Sequence, residues 1–189
     1  PDHISLTYIN CSAEVKGLSD IIVTSSNAEA IINQLPEDQP ILFAPDRHLG
    51  AYLNKKTGRD MVLWPGACIV HEEFSEERLL QLKAEHPDAR VAAHPECPNA
   101  IIELADHAGS TRSILDFVAR DGTSTFIIAT EPHIIHQMEL NHPEKTFIAA
   151  PGVKDARAAD SCPCTHCPYM ALNTMEKLRN TLRDMTPRI

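Results

Sequence analysis

The sequence predicts an α/β protein made of tandem αβα three-layer units with short parallel sheets. Three observations support this fold class: short apolar, β-branched runs alternate with helical segments, prolines fall at many of the joins, and the chain repeats itself at one fixed offset. Strands that alternate with helices through short connections are typical of βαβ units and parallel sheets.

The strands are predicted from apolar runs that are short and bounded by turn residues. Such runs occur at residues 5–9, 21–23, 40–44, 61–64, 90–93, 125–129 and 146–150. Between most of them, apolar residues recur with the spacing of a helix, as at Ala28, Ile31, Ile32 and Leu35. The order of elements along the chain is therefore the one that a parallel sheet with crossover helices requires.

The second half of this pattern repeats the first at an offset of 86 residues, the separation of Cys11 from Cys97. The same offset joins three further pairs, which are Asp20 with Asp106, Ser25 with Thr111, and Pro65-Gly66 with Pro151-Gly152. Matches that share one offset indicate two similar units in tandem. We place these αβα units at residues 1–66 and 67–166, followed by a C-terminal helix at 167–189 that carries Cys167 at its start.

The composition argues against several classes of protein. The chain has 189 residues, a formal net charge of -9 and 43% hydrophobic residues, which is ordinary for a soluble globular protein. The sequence has no basic stripe of the kind that nucleic-acid-binding proteins show. No apolar run approaches the roughly 20 residues of a membrane span. The first residues do not resemble a secretory signal. We therefore expect a cytoplasmic protein with no nucleic-acid or membrane partner.

Six cysteines without a secretion signal favour metal binding or thiol chemistry over a disulfide framework. Cys162, Cys164 and Cys167 lie within six residues, and their local spacing alone is also compatible with a zinc staple or a redox pair. Each unit ends in a loop that delivers a cysteine, Cys68 in the first and Cys167 in the second. His71, three residues after Cys68, is either solvated or part of the same centre. Two thiolates do not complete a metal site, so Cys162 and Cys164, or a further unit, must supply the rest.

Polar residues follow the strands at their carboxyl ends, where α/β folds place ligand sites. His94 and Glu96 follow the strand at 90–93, and Tyr8 and Asn10 occupy the matching places in the first unit. Hydroxyl groups that open helices suit phosphate and carboxylate ligands, although an ordinary helix cap is the simpler explanation of any single one. The hydroxyl residues in such places are Ser25, Ser110 and Thr111.

Several sequence runs occur in the order found in the quinolinate synthase (NadA) family. They are YINCSAEVKGLSD, VTSSNA, APDRHLGAYL, LWPGACIVHEEF, HPEC, ADHAGST, IATE and CTHCPYMALN. The sequence therefore resembles this family over essentially its whole length. The resemblance implies an enzyme that condenses iminoaspartate with dihydroxyacetone phosphate to form quinolinate, in the de novo biosynthesis of NAD.

The resemblance also implies a fold and a cofactor. Family members have three αβα units around a pseudo-threefold axis, and each unit gives one cysteine to a central [4Fe–4S] cluster whose open iron is a Lewis acid. Cys68 and Cys167 match the second and third of these ligands, whereas Cys162 and Cys164 resemble extra cysteines that are not ligands. We expect the chain to begin inside the second unit. Two thiolates leave two irons uncovered, so we expect it to bind a cluster poorly by itself.

The resemblance assigns roles to the polar residues at the strand ends. Proton transfer and carboxylate positioning would fall to Tyr8, His94 and Glu96. The phosphate-bearing substrate would lie at Asn10 and Ser25, the dicarboxylate at Ser110, Thr111 and Thr130, and His71 close to the iron. The two substrates would be the small-molecule partners, with a functional link to L-aspartate oxidase and an oligomeric state left open.

Two other interpretations remain open from the residues alone. The chain could be a non-catalytic zinc- or thiol-containing α/β module that binds a metabolite, or a phosphosugar-binding domain without a metal. The repeat favours the iron–sulfur interpretation, because a local zinc knuckle gives Cys68 no role. Analysis for zinc against iron and acid-labile sulfide separates the first two, and a silent Cys68→Ser substitution would indicate the third.

Overall fold

A computed structural model of the protein describes residues 2–153 and 166–185. It contains two four-stranded sheets in which every pairing is parallel. The first sheet has the order β2-β1-β3-β4 and consists of β1 (Ile4–Tyr8), β2 (Ile21–Val23), β3 (Ile41–Phe43) and β4 (Val62–Leu63). The second has the order β6-β5-β7-β8 and consists of β5 (Arg90–Ala93), β6 (His107–Ala108), β7 (Thr125–Ala129) and β8 (Thr146–Ala149). The α/β class with short parallel sheets is confirmed.

Helices connect the strands throughout. They are α1 (Ala13–Gly17), α2 (Ala28–Gln34), α3 (Arg47–Thr57), α4 (Glu76–Glu85), α5 (Asn99–Leu104), α6 (Thr111–Arg120), α7 (His133–Asn141) and α8 (Met175–Asp184), with 3-10 helices at His71–Glu73 and Met170–Leu172. Many begin at a side chain that accepts a free backbone N–H of the first turn, as Ser75 does for α4 and Ser110 for α6. Within the described ranges, no helix is both long and apolar enough to pass through a membrane.

The two sheets repeat each other in strand order and in the register of their first strand pair. Leu6 pairs with Ile21 in the first sheet, and Ala92 pairs with His107 in the second, so both partners are displaced by the predicted 86 residues. The pairing of the central strands differs by one residue, because Leu6 pairs with Phe43 whereas Ala92 pairs with Ile128. The next pairing differs by one residue as well, because Leu42 pairs with Val62 whereas Ile128 pairs with Ala149. The predicted repeat is therefore a structural repeat of one topology in which β7 is displaced by one residue.

The repeat continues past the segment between residues 153 and 166, at a new offset of 99 residues, the separation of Cys68 from Cys167. The amide of Glu72 donates to the carbonyl of Cys68 at 3.0 Å, and the amide of Ala171 donates to that of Cys167 at 3.1 Å. In both copies a 3-10 helix follows, then a capping hydroxyl, then a helix of ten residues. The local structure after the cysteine is therefore the same in the two copies.

Packing differs between these two equivalent helices. On α4, Leu79 is buried in the core of the second sheet together with Phe74 and Ile101. On α8, the equivalent Leu178 and its neighbour Leu182 are exposed, at 52% and 65%. Helix α4 therefore packs on the second sheet, whose strands follow it along the chain, whereas the apolar face of α8 has no such partner among the described residues.

Candidate functional site

The carboxyl ends of β1 and β5 meet at one serine hydroxyl. Tyr8 ends β1 and His94 follows β5, and the repeat makes the two residues equivalent. The hydroxyl groups of Tyr8 and Ser25 are 3.4 Å apart, and Nε2 of His94 lies 3.2 Å from the same Oγ of Ser25. The two units thus present equivalent strand ends to a single polar centre.

A mostly buried group next to this hydroxyl contains the partly buried Cys68 together with His71 and Glu96, and their ligand-type atoms all lie within 4.8 Å of one another. Nδ1 of His71 lies 3.1 Å from Oε2 of Glu96, and Nδ1 of His94 lies 3.9 Å from the same oxygen. The His71 and His94 rings stack with centroids 4.6 Å apart. Nε2 of His71 lies 3.1 Å from the Thr130 hydroxyl. Sulfur, nitrogen and carboxylate donors of this kind are suited to a metal centre.

One atom of this group has no hydrogen bond. His71 Nδ1 is buried, and in the described part of the chain no partner meets it with hydrogen-bond geometry, despite its short distance to Glu96. Buried polar atoms are nearly always satisfied. Here the nitrogen faces Glu96 at 3.1 Å without hydrogen-bond alignment, an arrangement beside a thiol and a carboxylate that suits a bound ligand.

Burial and mutual contact shift the pKa values of the group in opposite directions. Burial, together with the charge of His71, lowers the pKa of His94 to about 4. Burial also lowers the pKa of His71, but its contacts with Cys68 and Glu96 outweigh that effect and raise the pKa to about 9. Burial and the charge of Glu96 raise the pKa of Tyr8. For Glu96, burial acts to raise the pKa, but the nearby histidines prevail and lower it. At neutral pH, His94 is consequently a neutral ring and Glu96 a carboxylate.

The loop that carries Cys68 is held by Asp46, which sequence reasoning did not select. Asp46 is buried, and its Oδ2 accepts a hydrogen bond of 2.8 Å from the Cys68 amide. Burial raises the pKa of Asp46 despite the three amides that it accepts. The signal that could have found it is its place directly before a helical segment in APDRHLGAYL, which is typical of a helix cap.

Cys167 lies in an equivalent loop, beside a second polar group. Its amide lies 3.5 Å from Oε1 of Glu131, and its Sγ is 3.5 Å from the amide of Met170. The ligand-type atoms of Glu131, His133 and His166 also lie within 4.8 Å of one another, with the His133 side chain well exposed. Cys167 is thus held at a carboxylate, as Cys68 is.

The structure brings together most of the residues that the sequence singled out. The contacts above join Tyr8, Ser25, His71, His94, Glu96, Thr130 and Cys68. Ser110 is buried and caps α6, which agrees with the simpler explanation of its hydroxyl as an ordinary helix cap. Asn10 and Thr111 are exposed, and no hydrogen bond in the described structure joins their side chains to the others. Cys162 and Cys164 lie outside the described residues. The individual roles of these residues stay predictions.

Two cavities lie away from this centre. One of about 400 Å³ is lined by His107, Ser113 and Phe117 among others, and one of about 350 Å³ lies between α3 and α5. Neither is lined by Cys68, His71 or Glu96. The donor chemistry, and not the volume of a cavity, therefore identifies the candidate site.

Comparison with known proteins agrees with the motifs. The family model described as "NadA: Quinolinate synthetase A protein" matches residues 1–189. The chain is 56% identical to the quinolinate synthase of Microcystis aeruginosa and 54% identical to those of Prochlorococcus marinus and Thermosynechococcus vestitus. Each match covers 100% of this chain but only 57%, 55% and 58% of the relative, so the chain spans little more than half of their length.

A mutant structure of the laminin-binding adhesin Lmb from Streptococcus agalactiae covers 97% of this chain, and this chain covers 98% of it, at 15% identity. The TM-score of 0.25 is too low to carry a likeness of fold. The whole-length match to the family model decides the assignment: the chain belongs to the quinolinate synthetase A (NadA) family.

Proposed function

We propose that this chain contributes two αβα units to a quinolinate synthase, which condenses iminoaspartate with dihydroxyacetone phosphate to quinolinate in de novo NAD biosynthesis. The observation that carries the proposal is the group of Cys68, His71 and Glu96 at the carboxyl ends of the strands, with an unsatisfied buried nitrogen. It occurs in a chain that matches the family from end to end. The reaction would take place in the cytoplasm, and L-aspartate oxidase would supply the imine substrate.

The cofactor in this proposal is a [4Fe–4S] cluster. One member of the donor set suits such a group, because thiolates are the ligands of iron–sulfur clusters and Cys68 is a free, partly buried thiol. The second ligand from this chain would be Cys167, which is likewise a free and partly buried cysteine. When bound, the cluster would supply a Lewis acid that eases loss of water.

The remaining chemistry belongs to side chains of this chain. Ser25 and Tyr8 offer hydroxyl groups at hydrogen-bond distance from each other, and the neutral His94 holds or releases a proton at Nε2 next to Ser25. Oε2 of Glu96 lies 3.1 Å from Nδ1 of His71, and the Glu96 amide donates to Nδ1 of His94 at 3.3 Å, which leaves the proton of the neutral His94 ring at Nε2. Burial of the group excludes water and fixes both reactants close together, which removes much of the entropic barrier to a condensation.

The substrate groups would be bound as the family resemblance implies. Asn10 and Ser25 would meet the phosphate-bearing substrate, and Ser110, Thr111 and Thr130 the dicarboxylate. Support for Thr130 comes from its hydroxyl, which lies 3.1 Å from His71 within the site.

We include a pseudo-threefold arrangement of αβα units in the proposal. Helix α4 packs on the sheet that follows it along the chain, whereas the equivalent apolar face of α8 is exposed. On α1, Val15 and Leu18 are also exposed, although the equivalent Ile101 and Leu104 of α5 belong to the core beside α4. A third unit placed between α8 and α1 would cover both faces and close the ring.

A chimaeric enzyme tests the function. Residues 1–189 would replace the matching segment of the Microcystis aeruginosa quinolinate synthase, to which they are 56% identical. We expect the chimaera to form quinolinate and to show four-iron absorbance after anaerobic reconstitution. Cys68→Ser should abolish both, whereas the control Cys11→Ser should preserve both, since among the described residues the hydrogen bonds of the Cys11 thiol reach Thr7 and the adjacent Ser12. Zinc without acid-labile sulfide would favour the metabolite-binding module, and an unaffected Cys68→Ser variant would contradict the proposal.

A further inference from the structure

A carboxylate at the start of α3 makes two different kinds of contact. Oδ1 of Asp46 accepts the amides of His48 and Leu49, both at 2.8 Å, and so caps the helix. Oδ2 accepts the amide of Cys68 at 2.8 Å, 22 residues further along the chain. One buried side chain therefore joins the beginning of a rigid helix to the backbone of a cysteine.

The second unit contains the same connection at the start of α7. Oε2 of Glu131 accepts the amide of His133 at 3.0 Å, and Oε1 lies 3.5 Å from the amide of Cys167, 36 residues further along. The 86-residue offset would place the equivalent of Asp46 at Pro132, which has a short apolar ring. The longer glutamate side chain, one residue earlier, reaches the same two targets.

Helix capping alone does not explain why a carboxylate is found at these two positions. Ser75, Ser110 and Thr174 cap their helices through a single hydroxyl oxygen that accepts a local amide. A carboxylate has a second oxygen. In the first unit that oxygen accepts the amide of Cys68 at 2.8 Å. In the second, Oε1 of Glu131 lies 2.6 Å from Nδ1 of His133 and 3.5 Å from the amide of Cys167, so the same link is present but longer and shared. Partners behind a ligand residue fix its orientation, and their loss weakens metal sites.

We propose that Asp46 and Glu131 are positioning residues, which fix the loops of Cys68 and Cys167 before any metal binds. The inference rests on the proposed function, in which both thiols are ligands. Because the Cys68 amide is already bonded to Asp46, it is withheld from the sulfur atoms of a cluster. Hydrogen bonds to sulfur and net charge both tune cluster potentials, so the carboxylate should keep the reduction potential low.

The decisive variant is Asp46→Asn in the 189-residue chain. Asparagine is a good helix cap, and its side-chain oxygen can still accept the amides of His48 and Leu49. Its side-chain NH2 group would then face the backbone N–H of Cys68, and two donors cannot form a hydrogen bond. Hydrogen exchange at the Cys68 amide should accelerate roughly 10- to 100-fold, as expected for loss of a hydrogen bond to a charged group. Alkylation of the Cys68 thiol should also accelerate.

A matched control is Asp106→Asn, because Oδ2 of Asp106 accepts the amide of Val91 at 2.8 Å and no cysteine amide. Exchange at Cys68 should match the parent in this control. Should Asp46→Asn fold poorly, Asp46→Ser retains a cap with one oxygen, and Glu131→Gln gives the parallel measurement at Cys167.

In the chimaeric enzyme, Asp46→Asn should shift the electron paramagnetic resonance signal of the reduced cluster and raise its reduction potential, whereas Asp106→Asn should do neither. Unchanged exchange at Cys68 in Asp46→Asn would overturn the positioning role. An absence of four-iron absorbance in the parent chimaera would instead overturn the proposed function, while the exchange measurement would still report on the hydrogen bond.

Discussion

The equivalent leucines of α4 and α8 allow a paired test of how each helix packs. Leu79 and Leu178 occupy the same place in the repeated segment, four residues after Ser75 and Thr174. Leu79 is 1% exposed within the core of the second sheet, whereas Leu178 is 52% exposed. The same substitution, leucine to alanine, should therefore have very different effects at the two positions.

The magnitude follows from burial. Truncating a fully buried leucine removes its transfer free energy and leaves a cavity, so Leu79→Ala should lower the free energy of unfolding by about 3 kcal/mol. Truncating a half-exposed leucine leaves no closed cavity. Leu178→Ala should therefore change the free energy of unfolding by no more than about 0.5 kcal/mol. For a chain of this size each kcal/mol corresponds to roughly 2 to 4 °C in Tm. Leu79→Ala should thus melt roughly 6 to 12 °C below the parent.

Thermal and urea unfolding of both variants, followed by far-UV circular dichroism, provide the measurement. Equal losses in the two variants would refute the reasoning, because they would mean that the α8 face is covered in solution. If the loss in Leu178→Ala then depended on protein concentration, a second copy of the chain would be the covering surface.

Three other predictions follow from single positions and from the thiol count. Gly50→Ala should destabilise the chain by about 1 to 3 kcal/mol in urea unfolding, because the new Cβ would lie 2.5 Å from a Leu63 methyl, whereas Gly17→Ala, with nothing within 4 Å, should not destabilise it. His94 should remain neutral in nuclear magnetic resonance titrations down to about pH 4. The pKa of His94 in the folded chain lies below its ordinary 6.5. The neutral ring therefore contributes about 3 kcal/mol to the free energy of unfolding above pH 6.5, and this contribution is lost as the pH falls towards 4. In His94→Gln the free energy of unfolding should fall less across that range. Anaerobic reconstitution of the 189-residue chain by itself should give little four-iron absorbance, and a stable, stoichiometric cluster would contradict the requirement for a further thiolate.

Elements with a strong local pattern were predictable from the sequence. The seven apolar runs correspond to strands of the structure, and the 86-residue offset reappears in the strand order. The strand β6 was missed, because His107–Ala108 contains no apolar run. It is a strand only because Ala92 and Ala93 of β5 offer it an edge to pair with.

The candidate site was predictable in its membership but not in its geometry. Placing Tyr8 and His94 at equivalent strand ends follows from the offset alone, yet their meeting at Ser25 depends on how the two sheets face each other. The unsatisfied nitrogen of His71 depends likewise on packing, since burial is a property of the folded chain.

By itself, the sequence determined the order of strands and helices, the two repeated units and the family, because each of these is written in local patterns or in motifs. Only the tertiary structure decided that the second oxygens of Asp46 and Glu131 reach cysteine amides 22 and 36 residues away. A hydrogen bond requires two atoms to lie about 3 Å apart, and for distant residues that separation is set by the path of the whole chain.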